Sequence, residues 1–100
     1  MQIYEKNPAL SEKRTIRVIY LRLLWAMDFH KVIAENIRGY RKKLGFTQEG
    51  LGGKVNLHSN YIARVERSEE RLSIDGMIRI AKALKIEPHL LLIPESYKTE

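Results

Sequence analysis

Apolar residues recur at helical spacing along most of the chain, and almost no stretch alternates in the manner of a strand. The first periodic segment, residues 8–27, carries two apolar stripes. One consists of Ile16, Ile19, Tyr20, Leu23, Leu24 and Met27, and the other of Val18, Leu21 and Trp25. A helix that is apolar on two faces requires two partners. We therefore expect this helix to pack on its own domain and also against a second copy of the chain.

Capping residues divide the rest of the chain into short helices. Asp28, Thr47 and Ser73 are N-cap candidates, Gly45 marks a helix end, and Pro88 suits a first helical turn. The predicted helices span about 29–44, 47–54, 58–67, 73–84 and 87–93. Their expected inward residues are Ile33, Ile37, Tyr40, Leu44, Leu51, Val55, Leu57, Ile62, Val65, Ile74, Met77, Ile80, Ala81 and Leu84. The predicted fold is all-α, with five short helices and an additional N-terminal helix.

The 100 residues are enough for one small domain with a modest core. We predict an N-terminal extension over residues 1–28, helical over about 8–27. A helix-turn-helix domain is predicted over 29–94, and a C-terminal tail over 95–100.

The composition excludes several kinds of function. The chain has no cysteine, and its three histidines lack metal-ligand spacing, so no metal site and no cofactor are expected. The longest apolar run is interrupted by Arg22 and falls short of the ~20 residues that span a bilayer. No paired carboxylates, nucleophile–base pair or phosphate loop suggests an enzyme, and no small-molecule ligand is expected. The expected location is the cytoplasm.

The charge is unevenly distributed. The net charge is +6 and the pI is about 9.7. Residues 29–54 carry six basic and two acidic side chains, densest at Arg41-Lys42-Lys43, while the chain beyond residue 54 is balanced. Such a patch favours a polyanionic partner, although a solvated basic surface explains the charge equally well.

Residues 47–67, "TQEGLGGKVNLHSNYIARVER", have the spacing of a helix-turn-helix unit. Gly52 stands where two crossing helices approach closely and require a small side chain. Asn56 stands in the turn, where a left-handed conformation is needed, and Asn adopts that conformation more readily than most residues. Gly50 and Gly53 lower the helix propensity before the turn, so we expect that helix to be mobile without a ligand.

Residues 33–93 resemble the phage-repressor-like, five-helix DNA-binding domains of the Xre type. The resemblance rests on "IRGYRKKLGFTQEGLGGKVNLHSNYIARVER" and "LSIDGMIRIAKALKIEPHLLL". The run "NLHSNYI…VER…RLSI" is similar, more narrowly, to controller proteins of restriction–modification systems, which are small dimeric regulators that time endonuclease expression. The resemblance implies a sequence-specific transcription regulator that binds double-stranded DNA at a palindromic operator as a homodimer and activates, represses, or does both.

The resemblance places base readers at Ser59, Asn60 and Arg64. Asn can pair bidentately with adenine and Arg with guanine. Two alternatives stay open, because Asn60 could be a helix-start residue without a ligand and Arg64 could pair with Glu69 or Glu70. Many controller proteins have Arg where this chain has Ser59, so its sequence preference should differ from theirs.

Other residues are expected at the DNA backbone. The start of the helix at Thr47 suits a phosphate, and the resemblance supports Gln48 as a donor to it. His58 is left open, since it could cap a helix, reach a phosphate, or do neither. The full expected set of backbone contacts is Thr47, Gln48, His58, Tyr61, Arg67, Arg71, Lys43 and Lys54.

Two further expectations concern support and assembly. The family commonly pairs an Arg and a Glu at the positions of Arg41 and Glu66, which would lock the recognition helix to the first helix of the domain; a solvated Arg41 is the alternative. In "LLLIP", a short helix can bury two apolar residues, which would leave Leu92 and Ile93 for a dimer partner unless the monomer buries all four. An antitoxin, a phage-type repressor and an interaction module that does not bind DNA are alternative functions.

Overall fold

The chain is an all-α protein over the residues that the structure, a computed structural model, describes: the backbone of 8–99 and the side chains of 15–23 and 25–99. This confirms the predicted fold class. The α-helices are α1 (Pro8–Trp25), α2 (Phe29–Lys43), α3 (Gln48–Val55), α4 (Ser59–Glu66) and α5 (Ile74–Leu84). Two 3₁₀ helices follow, Pro88–Leu92 and Ser96–Lys98.

The helices begin where short polar side chains satisfy free backbone N–H groups. Asp28 accepts from the N–H groups of His30 and Lys31 at 3.1 and 3.3 Å. Thr47 Oγ1 accepts from the Gly50 N–H at 2.9 Å, and Ser73 Oγ accepts from the N–H of residue 76 at 3.0 Å. The three predicted caps are confirmed, and they fix the starts of α2, α3 and α5.

The core lies where α2 to α5 and the first 3₁₀ helix meet. Its buried members are Ile37, Tyr40, Leu51, Val55, Ile62, Val65, Ile80, Ala81, Leu84 and Leu91. Leu57, expected to be buried, is only partly buried against this cluster. Helical spacing therefore predicts the inward-facing residues correctly at most positions.

Two expected core residues are instead exposed. Leu44 is 43% exposed because α2 ends at Lys43 and the chain turns away at Gly45, whose φ is +77°. Ile74 is 73% exposed because it is the first residue of α5. Leu72, just before the cap, packs against the core in its place, as the residue preceding an N-cap often does.

Helix α1 leaves its apolar side chains in solvent. Ile16, Leu23 and Trp25 are 66%, 63% and 84% exposed, and both predicted stripes are affected. The expected packing of α1 on its own domain is therefore wrong for the side chains that the structure describes. Leu24, a member of the first stripe, lies outside them. No helix in the described part of the chain has the length and apolarity needed to cross a membrane.

The segment after residue 94, predicted to be a tail, packs on α2. The Tyr40 hydroxyl donates to Ser96 Oγ at 3.0 Å, and Ser96 is buried. The Tyr97 ring lies against the backbone of Gly39, where a Cβ would overlap the ring. A further anchor is Asn36, fully buried, whose Nδ2 donates to the carbonyl oxygens of residues 91 and 93 at 2.8 Å each. These contacts hold the C-terminal segment, and with it Leu92 and Ile93, in a fixed place on the domain.

Candidate nucleic-acid interface

Helices α3 and α4 form the predicted helix-turn-helix. Asn56 adopts the left-handed conformation, with φ 57° and ψ 44°, and ends α3. A Cβ at Gly52 would lie 2.5 Å from the Leu57 carbonyl oxygen, so only glycine permits this approach. The Leu57 N–H donates to the Gly52 carbonyl oxygen at 2.8 Å. Gly52 and Asn56 therefore set the angle between α3 and α4.

Helix α4 has one buried face and one exposed face. Ile62 and Val65 are buried at 0% and 3% exposure. Asn60 and Arg64 are exposed, and Ser59 is half-buried at the helix start. Residues four apart share one side of a helix, so Asn60 and Arg64 present an amide and a guanidinium side by side. These groups match adenine and guanine edges in the major groove.

The start of α4 is capped by an imidazole. His58 Nδ1 accepts from the Asn60 N–H at 3.1 Å. Of the three possibilities that the sequence left open for His58, the structure contains the cap. The ring thereby fixes the backbone from which the Asn60 side chain projects.

A nearly buried ion pair joins α4 to α2. Arg41 donates to Glu66 through Nε at 2.6 Å and Nη2 at 2.8 Å, a bidentate arrangement. The Arg41 and Glu66 side chains are 10% and 3% exposed. Arg41 Nη1 also donates to the Phe46 carbonyl oxygen at 2.9 Å, and Gln48 Nε2 donates to Glu66 Oε1 at 3.1 Å. The pair that the family resemblance implies is therefore present, and it also binds the loop before α3 and the first residue of α3.

The position of Gln48 differs from that of a free phosphate donor. Its amide is held by Glu66 in the protein alone, while Thr47 Oγ1 serves as a cap. Both residues still lie at the start of α3, whose first backbone N–H groups and positive dipole end suit an anion.

The chain folds back on α4 immediately after its last turn. Ser68 has φ +60°, and the N–H groups of Ser68 and Glu69 donate to the carbonyl oxygens of Val65 and Arg64 at 3.0 and 2.8 Å. This left-handed helix ending brings residues 69 and 70 beside the exposed face of α4.

Both arginines on that side of α4 are paired. Arg64 Nε lies 3.2 Å from Glu70 Oε2, and Arg67 Nη2 lies 2.9 Å from Glu69 Oε2. The hydrogen bond from Arg67 lowers the pKa of Glu69, and the positive charges of Arg67 and Arg64 lower it further. The Glu69 hydrogen bond in turn raises the pKa of Arg67. Glu70, one of the two alternative partners of Arg64, therefore pairs with it in the absence of DNA.

The remaining residues that are expected to contact the DNA backbone are dispersed. Tyr61, half-buried, has its hydroxyl 3.4 Å from the Arg71 carbonyl oxygen, which places both at the loop after α4. Lys54 Nζ lies 5.0 Å from the centre of the Phe46 ring. Lys43 Nζ donates to the carbonyl oxygens of residues 97 and 99 at 3.1 and 3.4 Å. The structure therefore brings Lys43 to the C-terminal segment rather than to α4.

One supporting residue was missed by the sequence reasoning. Arg79, on α5, donates to the carbonyl oxygens of Val55 and Asn56, the latter at 3.3 Å. It binds the carbonyl end of α3 at the turn, and its charge suits that negative dipole end. No spacing along the chain connects residue 79 with residues 55 and 56, so only the fold reveals this contact.

The expected dimer residues lie on the surface. Leu92 is 38% exposed and Ile93 is 45% exposed, while the preceding Leu91 belongs to the core and is fully buried. The 3₁₀ helix therefore buries part of the apolar run and leaves the rest available.

Comparisons with known proteins agree with this geometry. The family model described as helix-turn-helix matches residues 37–91. The chain belongs to the helix-turn-helix family. Within the family, it is 38% identical over 74 residues to the control protein C.SmaI of Serratia marcescens, covering 74% of this chain and 88% of that protein.

Solved structures of the family have the same fold. The restriction–modification controller protein C.AhdI from Aeromonas hydrophila is 31% identical, with a TM-score of 0.60, over 62% of this chain and 94% of the other. The c2 repressor of Salmonella phage P22, solved with a synthetic operator, is 37% identical. Its TM-score is 0.57, over 60% of this chain and 91% of the other. The helix-turn-helix protein described here is therefore similar to both controllers and phage repressors.

Proposed function

We propose that this DNA-binding transcriptional regulator is a restriction–modification controller that binds a palindromic operator as a dimer. The observation that carries the proposal is the exposed Asn60–Arg64 edge of α4. The opposite face of that helix is held by Ile62 in the core and by the ion pair of Glu66. A helix fixed on one face and bearing base-matching groups on the other is suited to the major groove.

Base readout is assigned to Ser59, Asn60 and Arg64. To reach a guanine, Arg64 must leave Glu70. Both side chains are about half exposed, at 45% and 40%, and such pairs contribute about 0–1 kcal/mol. A bidentate contact with a matching base contributes about 1–3 kcal/mol of discrimination. The exchange therefore favours the base contact.

Backbone contacts position the protein without reading sequence. The N-terminus of α3 supplies N–H groups, with Thr47 and Gln48 beside them. To bind DNA, the Gln48 amide would leave Glu66 and donate to a phosphate oxygen instead. The wider proposed set of backbone contacts is His58, Tyr61, Arg67, Arg71, Lys43 and Lys54.

Dimerisation is proposed through Leu92 and Ile93, because they are exposed apolar residues beside the buried Leu91. The exposed apolar side chains of α1, such as Ile16 and Leu23, are proposed to extend the contact between the two copies. Exposed apolar patches often mark protein interfaces. Two copies would place two α4 helices about one turn of DNA apart.

Selection of bound duplexes from a random pool tests the proposal. The expected product is a palindrome with two half-sites, bound with an affinity that falls steeply as salt is raised. An asymmetric single site would argue against the dimer. Absence of enrichment, with a correctly folded protein, would argue against sequence-specific binding altogether.

The exposure of α1 favours one second candidate, an antitoxin that binds a toxin through this helix. Native mass spectrometry of the protein purified from its own organism distinguishes the two. A homodimer supports the controller, whereas a complex with a second polypeptide seated on α1 supports the antitoxin.

A further inference from the structure

Two carboxylates stand beside Arg64, on the exposed face of α4, and Arg67, the residue that follows α4. The left-handed Ser68 turns the chain so that Glu70 pairs with Arg64 and Glu69 pairs with Arg67. All four side chains are between 40% and 58% exposed. Neither pair contributes to the core, so the pairs have no evident role in holding the fold.

We propose that Glu70, assisted by Glu69, is an affinity-limiting residue of the DNA interface, because it occupies Arg64 and withholds the guanidinium from phosphates. Glu70 keeps Arg64 in a neutral pair, and Arg64 is released when a guanine edge offers two acceptors in the place of that carboxylate. On any other sequence, Arg64 stays with Glu70 and does not bind a phosphate. This inference rests on the proposed readout role of Arg64.

The reasoning depends on what competes for the guanidinium. Non-specific binding arises almost entirely from contacts between cations and phosphates, and each such contact adds about 0.9 to the slope of log K against log salt. An arginine held by a carboxylate contributes little to that term. Glutamine at residue 70 would leave Arg64 free to reach a phosphate on any duplex. A guanine in the correct place binds Arg64 in either case, but the parent must first break the Arg64–Glu70 pair. The cognate complex of the variant therefore gains the energy of that pair.

Glu69 has a supporting role in the same exchange. Its carboxylate binds Arg67, and the charge of Arg64 also acts on it, since that charge contributes to lowering the Glu69 pKa. The two acidic residues and two arginines therefore form one neutral group at the end of α4. Removing either carboxylate leaves an excess of positive charge beside the DNA.

The experiment compares the full-length parent with Glu70→Gln, Glu69→Gln and the double variant. Each is titrated with a duplex of random sequence and with the duplex selected by the parent, over a series of salt concentrations. Glu87→Gln is the matched control, because it makes the same change in net charge. Glu87 is exposed and lies before the first 3₁₀ helix, and its partner among the described residues is His89, at 3.4 Å.

Glu70→Gln is expected to bind the random duplex about two- to fivefold more tightly, the equivalent of one exposed ion pair. Its salt slope on that duplex should steepen by about one. Affinity for the selected duplex should rise by at least as much, because the variant no longer breaks the pair to reach the guanine. The salt slope on the selected duplex should change less, because Arg64 binds a base there in both proteins. Glu69→Gln should act in the same direction, and the double variant should show the largest gain in affinity for the random duplex.

A double-mutant cycle separates this role from general electrostatics. In an Arg64→Ala background, Glu70→Gln should no longer steepen the salt slope, because no guanidinium remains to be released. An equal steepening of the salt slope on both duplexes, or the same gain in Glu87→Gln, would overturn the proposal in favour of a simple charge effect. Unchanged affinity and slope in Glu70→Gln would overturn it as well.

Failure of the proposed function has a different signature. A parent that binds the random duplex but selects no sequence contradicts the controller, and it contradicts the inference too, since Arg64 then reads no base. A parent that selects a palindrome while Glu70→Gln behaves like Glu87→Gln contradicts the inference alone.

Discussion

Replacement of Glu66 by Gln should destabilise the protein severely. The substitution keeps the shape of the side chain but leaves the Arg41 guanidinium, 10% exposed, without its bidentate carboxylate at 2.6 and 2.8 Å. Removing one partner of a buried pair costs about 3–5 kcal/mol. A small domain has a free energy of unfolding of about 5–15 kcal/mol. Because 1 kcal/mol shifts the Tm of a domain this size by about 4–8 °C, we expect the Tm to fall by roughly 12 °C or more.

Urea titration followed by far-UV circular dichroism measures the effect, with Arg41→Met and the double variant Arg41→Met/Glu66→Gln completing the set. Each single variant should lose about 3 kcal/mol or more, while the double variant, which has no stranded charge, should lie much closer to the parent. Glu70→Gln serves as the exposed control and should change stability by less than about 1 kcal/mol. Single variants that lose no more than this control, or losses that simply add in the double variant, would refute the idea of a lock between α2 and α4.

Three glycine substitutions should separate close packing from chain flexibility. Gly52→Ala should destabilise the protein by about 2 kcal/mol or more, because its Cβ would lie 2.5 Å from the Leu57 carbonyl oxygen. Gly53→Ala meets nothing within 4 Å and should stabilise α3 by up to about 1 kcal/mol; equal urea midpoints for the two variants would contradict this pair of expectations. Gly39→Ala should displace the Tyr97 ring, which tyrosine fluorescence and lower thermal stability would report, and an unchanged Tyr97 environment would contradict the packing described here.

The residues that local rules govern could be predicted from the sequence. Hydrogen bonding between a short polar side chain and N–H groups two or three residues ahead is a local property, so Asp28, Thr47 and Ser73 were identified as caps. The left-handed Asn56 and the close approach at Gly52 likewise follow from residue type and spacing. The family resemblance supplied the Arg41–Glu66 pair, which are 25 residues apart in the chain.

Other features depend on contacts between distant segments. The amide of Asn36 binds carbonyl groups 54 to 57 residues away, and neither end of that contact has a sequence signature. The packing of Tyr97 on Gly39 also joins distant segments and has no sequence signature. The segment predicted to be a tail is therefore part of the packed structure. The exposure of α1 is also not apparent from periodicity, because an apolar stripe predicts that a helix needs a partner without saying where that partner lies.

The base-reading residues are the part of the site that stays a prediction. Asn60 and Arg64 share the exposed edge of α4, which makes readout possible. The pairing of Arg64 with Glu70 shows that this side chain also has a partner within the chain. Which base each side chain contacts depends on the bound DNA, and no rule of helix or core formation determines it.

Selection of duplexes by the Arg64→Ala variant, beside the parent, tests the central claim most directly. If α4 reads DNA through this arginine in a symmetric dimer, the variant's consensus should lose its preference for guanine at one position in each half-site, related by the symmetry of the palindrome. Affinity for the parent's operator should fall by about 1–3 kcal/mol. Gln48→Ala, a change at the proposed phosphate contact, should weaken binding while leaving the consensus intact. An unchanged consensus for Arg64→Ala, or a change in only one half of the site, would contradict the account.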